Sequence, residues 1–435
     1  MVLTAERTQP KDLVDHESLK KKLFPLVKHP LYGDVASFET SSFLEPPVLA
    51  DFTNDTSFEG VTNLEICPSC FFNTSGTTSR SKKIPFSDAD LERQKIHESI
   101  ALRKLGMGPG DGVMSLGAPL PSISGWAIVN GSEATGARAL NTSQLDYETI
   151  FEKAWQKDVT FVIGTPLVVK EIGRAIEEEM GPIKGVLPNL KTAVIFGDVL
   201  PDALRQELKA AWGFTNVFSL YGTVEADVVA TECMDHPGEM NLMSERLVFE
   251  FIPEEELAQE RLIADYCPRS FPIEEAQDGS YGEILISDLS RDTLPLIRYR
   301  IGDVIQVHRA TGTHNITEPT VSVMGRSKNT VMLGKVALYE MQLNRALKNF
   351  LGGALVEWKI IEQKPGTQHR YHLQFQTNDD REIEAQPGLF FSCLKEQRSD
   401  LKTINFDAEI LLQKVDGFDR AEVSGDTKSQ RIILL

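Results

Sequence analysis

From about Leu64 to residue 228, short apolar runs alternate with segments of helical spacing, and this alternation constrains the chain more than any other feature. A short apolar run fits a strand buried on both faces, and an amphipathic segment of about 10–15 residues can cover the sheet that such strands build. The pattern therefore predicts βαβ units and a mostly parallel sheet. The expected strands are Ile66–Phe72, Gly112–Leu116, Thr160–Ile163, Ala193–Phe196 and Val217–Leu220. The expected helices are Ala89–Leu105, Gln144–Trp155, Val168–Met180 and Asp202–Trp212. Leu91, Ile96, Ile100 and Leu105 set the apolar spacing of the first helix, and Ser87-Asp88 supplies its N-cap.

After residue 228 the pattern turns to strands and loops at Arg246–Ile252, Gly282–Ser287 and Asp303–Val307, a β-rich subdomain resembling a distorted barrel. From Lys328 onward it changes again. A strand or hairpin (Thr330–Leu333), a helix (Leu338–Leu347), strands (Val356–Gln363 and His372–Gln376), a helix (Gly388–Glu396) and a last strand (Arg431–Leu435) predict a small α+β unit. The fold class is α/β, with a large N-terminal domain of stacked, mostly parallel sheets and helices, the β-rich subdomain, and the small α+β C-terminal domain.

Lys and Arg total 45 against 63 Asp and Glu, a formal charge of −18. Nucleic acid and anionic membranes select basic surfaces, so neither is expected as the main partner; a local cationic pocket for a small anion is still compatible. The stretch Gly112–Ser132 is broken by Pro119 and Pro121 and cannot pass for a membrane helix. Met1–Leu19 is polar and charged, so no signal peptide is expected, and five cysteines fit reduced thiols in a cytoplasm. A soluble cytoplasmic protein is expected, with monomer and homodimer both open.

Several segments have the composition of a binding site. Thr74-Ser75-Gly76-Thr77-Thr78-Ser79-Arg80-Ser81-Lys82 follows an apolar strand directly. Its hydroxyls and backbone N–H groups could wrap a polyphosphate, Gly76 permits close approach and Lys82 balances charge, although a solvated linker has the same composition. Tyr221-Gly222-Thr223-Val224-Glu225 stands at a strand end, where an aromatic face and a carboxylate suit a base and a metal. Arg298-Tyr299-Arg300-Ile301-Gly302-Asp303 reads as a glycine–acid turn, either a ribose site or a salt-bridged turn. Gly325-Arg326-Ser327-Lys328 stands where the texture changes, and Gly425-Asp426-Thr427-Lys428 puts a lysine before the last strand. Cys233 and His236, with Cys267 downstream, form a weak zinc candidate without a fourth ligand.

In this order the segments resemble the adenylate-forming superfamily of acyl-CoA synthetases, nonribosomal adenylation domains and luciferases, closest to the phenylacetate–CoA ligase branch. Thr74–Lys82 is similar to the TSGTTGxPK phosphate loop, with Ser79 and Ser81 in place of Gly and Pro. Tyr221–Glu225 is similar to the YGxTE motif, and Leu294–Asp303 to LPLIRYRTGD with Ile301 for Thr. Gly325-Arg326-Ser327-Lys328 resembles the GRxD hinge.

The resemblance implies roles. Thr74, Ser75, Gly76, Thr77, Thr78 and Lys82 would bind the ATP phosphates. Gly197, Asp198, Val199, Ser219, Tyr221, Gly222, Thr223, Asp303 and Arg326 would hold adenine and ribose; Ser219 stands where Asp or Asn is usual. Glu225 would bind Mg²⁺, Lys428 would be the catalytic lysine and Lys328 the hinge. Leu120, Ile123, Ser124, Gly125 and Trp126 would line the pocket for an aryl or hydrophobic acid. The implied domains are residues 1–326, for ATP and acid, and a mobile lid of residues 327–435. The implied reaction joins a small carboxylic acid to a thiol through an acyl-adenylate, with ATP and Mg²⁺. Coenzyme A is the default acceptor and a carrier protein or amine the alternative, since Leu333-Gly334-Lys335-Val336-Ala337 departs from the branch's IRGVN. A non-catalytic nucleotide- or acyl-binding member of the fold is the remaining alternative.

Overall fold

A computed structural model of the chain describes residues 31–32, 37–38, 41–55, 68–74, 81–140, 158–309, 319–378, 386–416 and 432–434. The expected helix Gln144–Trp155 lies outside them. Helix α1 (Pro46–Asp55) precedes an antiparallel hairpin of β1 (Cys70–Asn73) and β2 (Lys83–Phe86). Helix α2 (Asp88–Lys104) follows at once, opened by Ser87 in a capping box with Asp90. Next come β3 (Gly112–Leu116), α3 (Ser124–Thr135), β4 (Arg138–Leu140), β5 (Phe161–Gly164), α4 (Pro166–Met180), β6 (Thr192–Phe196) and α5 (Asp202–Trp212).

The run continues with β7 (Asn216–Thr223), β8 (Asp227–Glu232), β9 (Met240–Leu242), β10 (Val248–Pro253), α6 (Glu254–Leu262), β11 (Phe271–Pro272), β12 (Tyr281–Asp288), β13 (Leu296–His308) and β14 (Thr320–Arg326). Twelve strands form one hydrogen-bonded sheet in the order β11-β10-β12-β13-β14-β9-β8-β7-β6-β5-β3-β4. From β4 to β7 neighbouring strands are parallel; from β7 to β11 every pair is antiparallel. The β-rich region is thus an extension of the same ladder rather than a separate barrel.

Strand alternation divides the parallel half between two cores. Met114, Val162, Ala193 and Ile195 pack with Ile172 of α4 and Trp212 of α5. Val113, Phe161, Ile163 and Val194 point the other way, onto Leu102 of α2 and Ile128 of α3. Coverage of both faces explains why every residue of β3 and β5 is buried.

Three local expectations change. The first helix forms, but its buried face carries Asp90, Gln94, His97, Glu98, Ala101 and Leu102, whereas Ile96 is exposed. Strand β7 continues through Thr223, because Tyr221 pairs with Ala230 of β8. Arg298–Asp303 lies inside β13 rather than in a turn. The register shifts between Glu283 and Leu285 of β12, and Gly302 absorbs the resulting bulge at φ +84°.

The C-terminal part builds a core of its own. A hairpin of β15 (Val331–Leu333) and β16 (Val336–Leu338) leads into α7 (Glu340–Leu351), β17 (Leu355–Glu362), β18 (Tyr371–Thr377), α8 (Pro387–Lys395), β19 (Ile410–Lys414) and β20 (Ile432–Ile433). Four of these strands form a sheet in the order β19-β18-β17-β20, and Trp358, Phe375, Phe390, Phe406 and Ile432 fill its core. Arg398 ties this unit to the large sheet: its guanidinium is 2.9 Å from Glu254 and 4.4 Å over the ring of Tyr281. Among the described residues no helix is long and apolar enough to cross a membrane.

Asp90 fixes the start of α2 against the loop before β13. Its carboxylate accepts from Thr293 Oγ1 (2.7 Å), the Asp292 amide (2.9 Å), the Ser87 amide (3.1 Å) and Arg93 (2.7 Å). Burial alone would raise its pKa, but the charge of Arg291 and these donors outweigh burial and hold it well below the usual carboxylate range. Asp90→Asn is therefore expected to lower the unfolding free energy by about 3 kcal/mol at pH 7. A depressed folded pKa gives stability that is present above about pH 4 and lost as pH falls below it. Urea unfolding of both proteins across pH 2–7 should accordingly show the difference shrinking at acid pH.

Candidate active site

The ends of β7 and β14 meet the middle of β13 at one carboxylate. Strand register sets Asp303 opposite Arg326, and Asp303 Oδ1 lies 3.0 Å from Arg326 Nε. Arg326 Nη1 also donates to the carbonyl of Ile301 at 3.0 Å. On the other side the hydroxyl of Tyr221 donates to Asp303 Oδ2. Three strands separate β7 from β13 in the ladder, which on a flat sheet would be roughly 19 Å of strand spacing. The contact forms because the sheet coils back on itself. Burial, then the charge of Asp303, raises the pKa of Tyr221 well above normal and keeps its hydroxyl a donor, while Asp303 in turn raises that of Arg326.

A second polar group lies beside the first. Lys82 Nζ is 3.2 Å from Glu225 Oε1, both side chains being buried, and Tyr299 Oη donates to the same oxygen at 3.1 Å. Burial and the Glu225 charge raise the pKa of Tyr299 well above normal, so its hydroxyl too stays protonated. Lys82 is placed by the base of the β1–β2 hairpin. The Thr74 amide donates to the Lys82 carbonyl at 3.0 Å, the Lys82 amide to Thr74 Oγ1 at 2.9 Å, and Ser81 Oγ to the Thr74 carbonyl at 2.6 Å. Ser75, Gly76, Thr77, Thr78 and Lys428 lie outside the described residues.

Two cavities share this wall. One, of about 590 Å³, is bordered by Gly197, Asp198, Val199, Ser219, Tyr221 and Asp303, and also by Lys328 and Arg345. Asp198 Oδ1 accepts the Val199 amide at 2.8 Å, and Gly197 turns at φ +83°. Burial and nearby Arg326 lower the pKa of Lys328. The other cavity, of about 440 Å³, takes in Thr74, Lys82, Glu225, Thr223, Ile123 and Ser124. Gly222 and Arg326 border both.

Of the residues expected in the acid pocket, Ile123 and Ser124 border this second cavity. Leu120 is 74% exposed, Gly125 packs against the backbone of Gly117 and Ala118, and Trp126 turns its ring toward Phe72 at 6.4 Å between centroids. The zinc candidate does not assemble. Cys233 is in the β8–β9 turn and Cys267 is exposed after α6; among the described residues no three His, Cys, Asp or Glu side chains are grouped to hold a metal.

Some site residues carry no motif. Behind Ser219, whose amide donates to Glu232 Oε2 at 2.6 Å, the buried Glu232 pairs with buried Arg205. Gln94 and Glu98 of α2 and Asp227 of β8 border the 440 Å³ cavity. Polar side chains four apart on the inner face of a helix are the signal that could have found the first two.

The chain thus combines a twelve-stranded sheet that coils onto Asp303 with a C-terminal α+β unit that has its own core. Residues 33–246 match the AMP-binding enzyme family. That match, the relatives and the fold together support the adenylate-forming superfamily, near the phenylacetate–CoA ligases. It is 23% identical over 282 residues to phenylacetate-coenzyme A ligase of Escherichia coli (strain K12), covering 64% of this chain and 59% of that enzyme. To the Pseudomonas putida enzyme of the same name it is 23% identical over 359 residues, covering 80% of this chain and 75% of the relative. The open conformation of 2-hydroxyisobutyryl-CoA ligase, in complex with 2-HIB-AMP and CoA, has the same fold at TM-score 0.65 and 16% identity, covering 96% of this chain and 89% of that one.

Glu98 offers a test of this geometry that needs no substrate. Burial, reinforced by the charge of Asp227, pushes its pKa up to about 8. Between the ordinary glutamate pKa, about 4.3, and that value, the folded protein holds a proton that the unfolded chain has lost. Stability therefore falls as pH rises through this window. Glu98→Gln cannot ionise. Relative to wild type it is expected to gain stability from pH 5 to 8, at up to about 1.4 kcal/mol per pH unit, read by denaturant unfolding at each pH.

Proposed function

We propose that this chain is an ATP-dependent carboxylic acid ligase that forms an acyl-adenylate and passes the acyl group to a thiol, coenzyme A first among the candidates. The observation that carries this reading is the convergence of Tyr221, Asp303 and Arg326 with Lys82 and Glu225 on two cavities that share a wall. The relatives named phenylacetate-coenzyme A ligase support it.

In the first step a carboxylate oxygen attacks the α-phosphorus of ATP, the bond to the bridging oxygen breaks, and pyrophosphate leaves. Two anions must meet, so cationic groups and fixed donors around the reacting centre do most of the catalysis. Asp303 would accept the ribose hydroxyls, with Arg326 beside it, and Tyr221 would face the adenine along Gly197–Val199. Thr74–Thr78 and Lys82 would hold the leaving phosphates. Lys428 would neutralise charge between carboxylate and α-phosphate.

The Glu225 carboxylate fits Mg²⁺, which is usually held by one or two carboxylates together with substrate phosphates. When bound, the ion neutralises phosphate charge. In the second step the thiol sulfur attacks the acyl carbon, the acyl–phosphate bond breaks, AMP leaves and the thiol proton passes to solvent. A lid of residues 327–435 turning about Lys328 would withdraw Lys428 and admit the thiol. The second reading, transfer to a carrier protein or amine, is favoured by Leu333–Ala337, where Gly334 at φ +63° and Lys335 connect β15 and β16 in place of the branch's IRGVN.

ATP–pyrophosphate exchange with a panel of aryl and aliphatic acids tests the adenylation step. Exchange with at least one acid is expected; ATP binding without exchange for any acid would make the chain a non-catalytic binder of nucleotide. Lys428→Ala should lower exchange by about 100-fold or more. Asp303→Ala should raise KM for ATP by about 10-fold, the loss of charge-assisted hydrogen bonds. Acid-dependent consumption of coenzyme A, followed as free thiol, separates the two acceptors.

A further inference from the structure

The 440 Å³ cavity has a polar inner wall that the adenylation chemistry does not use. Gln94 and Glu98, one turn apart on the buried face of α2, and Asp227 at the start of β8 all border it, and each is more than nine-tenths buried. Gln94 Oε1 and Asp227 Oδ1 have no hydrogen-bond partner. The other Asp227 oxygen is satisfied by Arg246 at 2.7 Å, and Arg246 also pairs with the buried Asp288. His97, between the two α2 residues, faces the other way: its Nε2 is 2.8 Å from the Val228 carbonyl, and burial together with Arg246 lowers its pKa.

Glu98 sits in a space that its neighbour leaves for it. Gly131 of α3 lies directly under its side chain, where an added Cβ would come within 2.3 Å of Glu98 Cγ. Gly131 follows Ser124 by seven residues, about 10 Å along the helix axis. Ser124 borders the cavity together with Pro121, whose carbonyl accepts the Asn73 amide of the β1–β2 hairpin at 2.9 Å. Gly131, and Glu98 beside it, is therefore about two helical turns along α3 from Ser124.

Buried acceptors are ordinarily paired, and leaving one unpaired costs stability. Polar side chains that line one cavity, two of them holding a buried acceptor that the chain leaves unpaired, fit an occupant that brings its own N–H or O–H. We infer that the acid this chain activates carries a hydroxyl or amino group remote from its carboxylate, bound by Glu98 with Gln94 and Asp227. The inference rests on the reading of this cavity as the acid site. It names a class, compact acids with a distal hydrogen-bond donor, and separates them from plain hydrocarbon acids of the same shape. A site built to bond such a donor rejects the analogue lacking it more strongly than an apolar pocket rejects a lost methylene, because the site's polar groups are then left bare.

Matched acids test it: phenylacetic acid against its ring-hydroxylated and ring-aminated derivatives, and hexanoic acid against 6-hydroxyhexanoic and 6-aminohexanoic acids. Binding is measured on the full chain by isothermal titration calorimetry, independently of turnover. At least one donor-bearing acid is expected to bind 10-fold or more tightly than its parent. That ratio should fall to near 1 in Glu98→Leu and be retained in Glu98→Gln, which keeps an acceptor oxygen. Gly131→Ala, which displaces the Glu98 side chain without altering its chemistry, should reduce the ratio as well. If no donor-bearing acid outbinds its parent, or if the preference persists in a folded Glu98→Leu protein, the inference is overturned. The hydroxyl and amino arms decide which donor is bound. Donor-dependent binding without ATP–pyrophosphate exchange would sink the ligase reading and leave this subsite standing.

Discussion

Asp303 joins two parts of the sheet that strand order keeps apart. Arg326 reaches it by register from the adjacent β14, while Tyr221 comes from β7, separated from β13 by three strands. A buried carboxylate with one partner would be costly; with a guanidinium on one oxygen and a phenol on the other its desolvation is offset. The coil of the sheet is what allows both to arrive, and it places Gly197–Val199, the end of β7 and the β1–β2 hairpin around one space. Both cavities inherit their common wall from this contact.

Strand β13 shows how a single motif divides between structure and site. Alternation sends Tyr299 to Glu225, whereas Arg298 and Arg300 turn to the other face. Arg300 there bonds Glu283 at 2.8 Å, Glu260 at 2.6 Å and Glu45 at 3.0 Å, and Arg298 bonds Glu250 at 3.2 Å. The bulge at Gly302 then re-aims the strand and delivers Asp303 toward Tyr221. The two arginines, the most prominent charges in the segment, anchor the strand; the tyrosine and the aspartate face the chemistry.

The fold was legible wherever the pattern had one cause. Asp202–Trp212 is the helix expected because Pro201 opens it, Gly213 closes it and one apolar face is buried. The parallel strands were legible because burial on both faces leaves uninterrupted apolar runs. The antiparallel half was less so. Leu296–His308 carries a bulge whose glycine reads as a turn, and β14 has no periodicity strong enough to announce it. The motif residues Tyr221, Glu225, Asp303 and Arg326 do come together, because a motif records a local chain path. The 440 Å³ cavity takes its lining partly from α2, α3 and β8, distant in sequence and without a shared pattern, and so Gln94, Glu98 and Asp227 border it without having been expected to.

Helix α2 also shows what burial alone does and does not decide. Asp90 and Glu98 lie on the same buried face, eight residues or about 12 Å apart along the axis. Both lose water on folding, and desolvation pushes the pKa of each upward. At Asp90 the chain supplies amides, a hydroxyl and guanidinium charge, and the carboxylate is held ionised well below its usual range. At Glu98 it supplies none of these, a second carboxylate stands nearby, and the pKa rises to about 8. Depth is nearly the same at the two positions, so the supply of donors makes the difference. Donors are plentiful where the carboxylate faces the loop that α2 must hold in place. They are withheld where it faces a cavity, and a group left in that state costs stability. What it does contribute is an unspent hydrogen-bonding capacity directed at whatever fills the space.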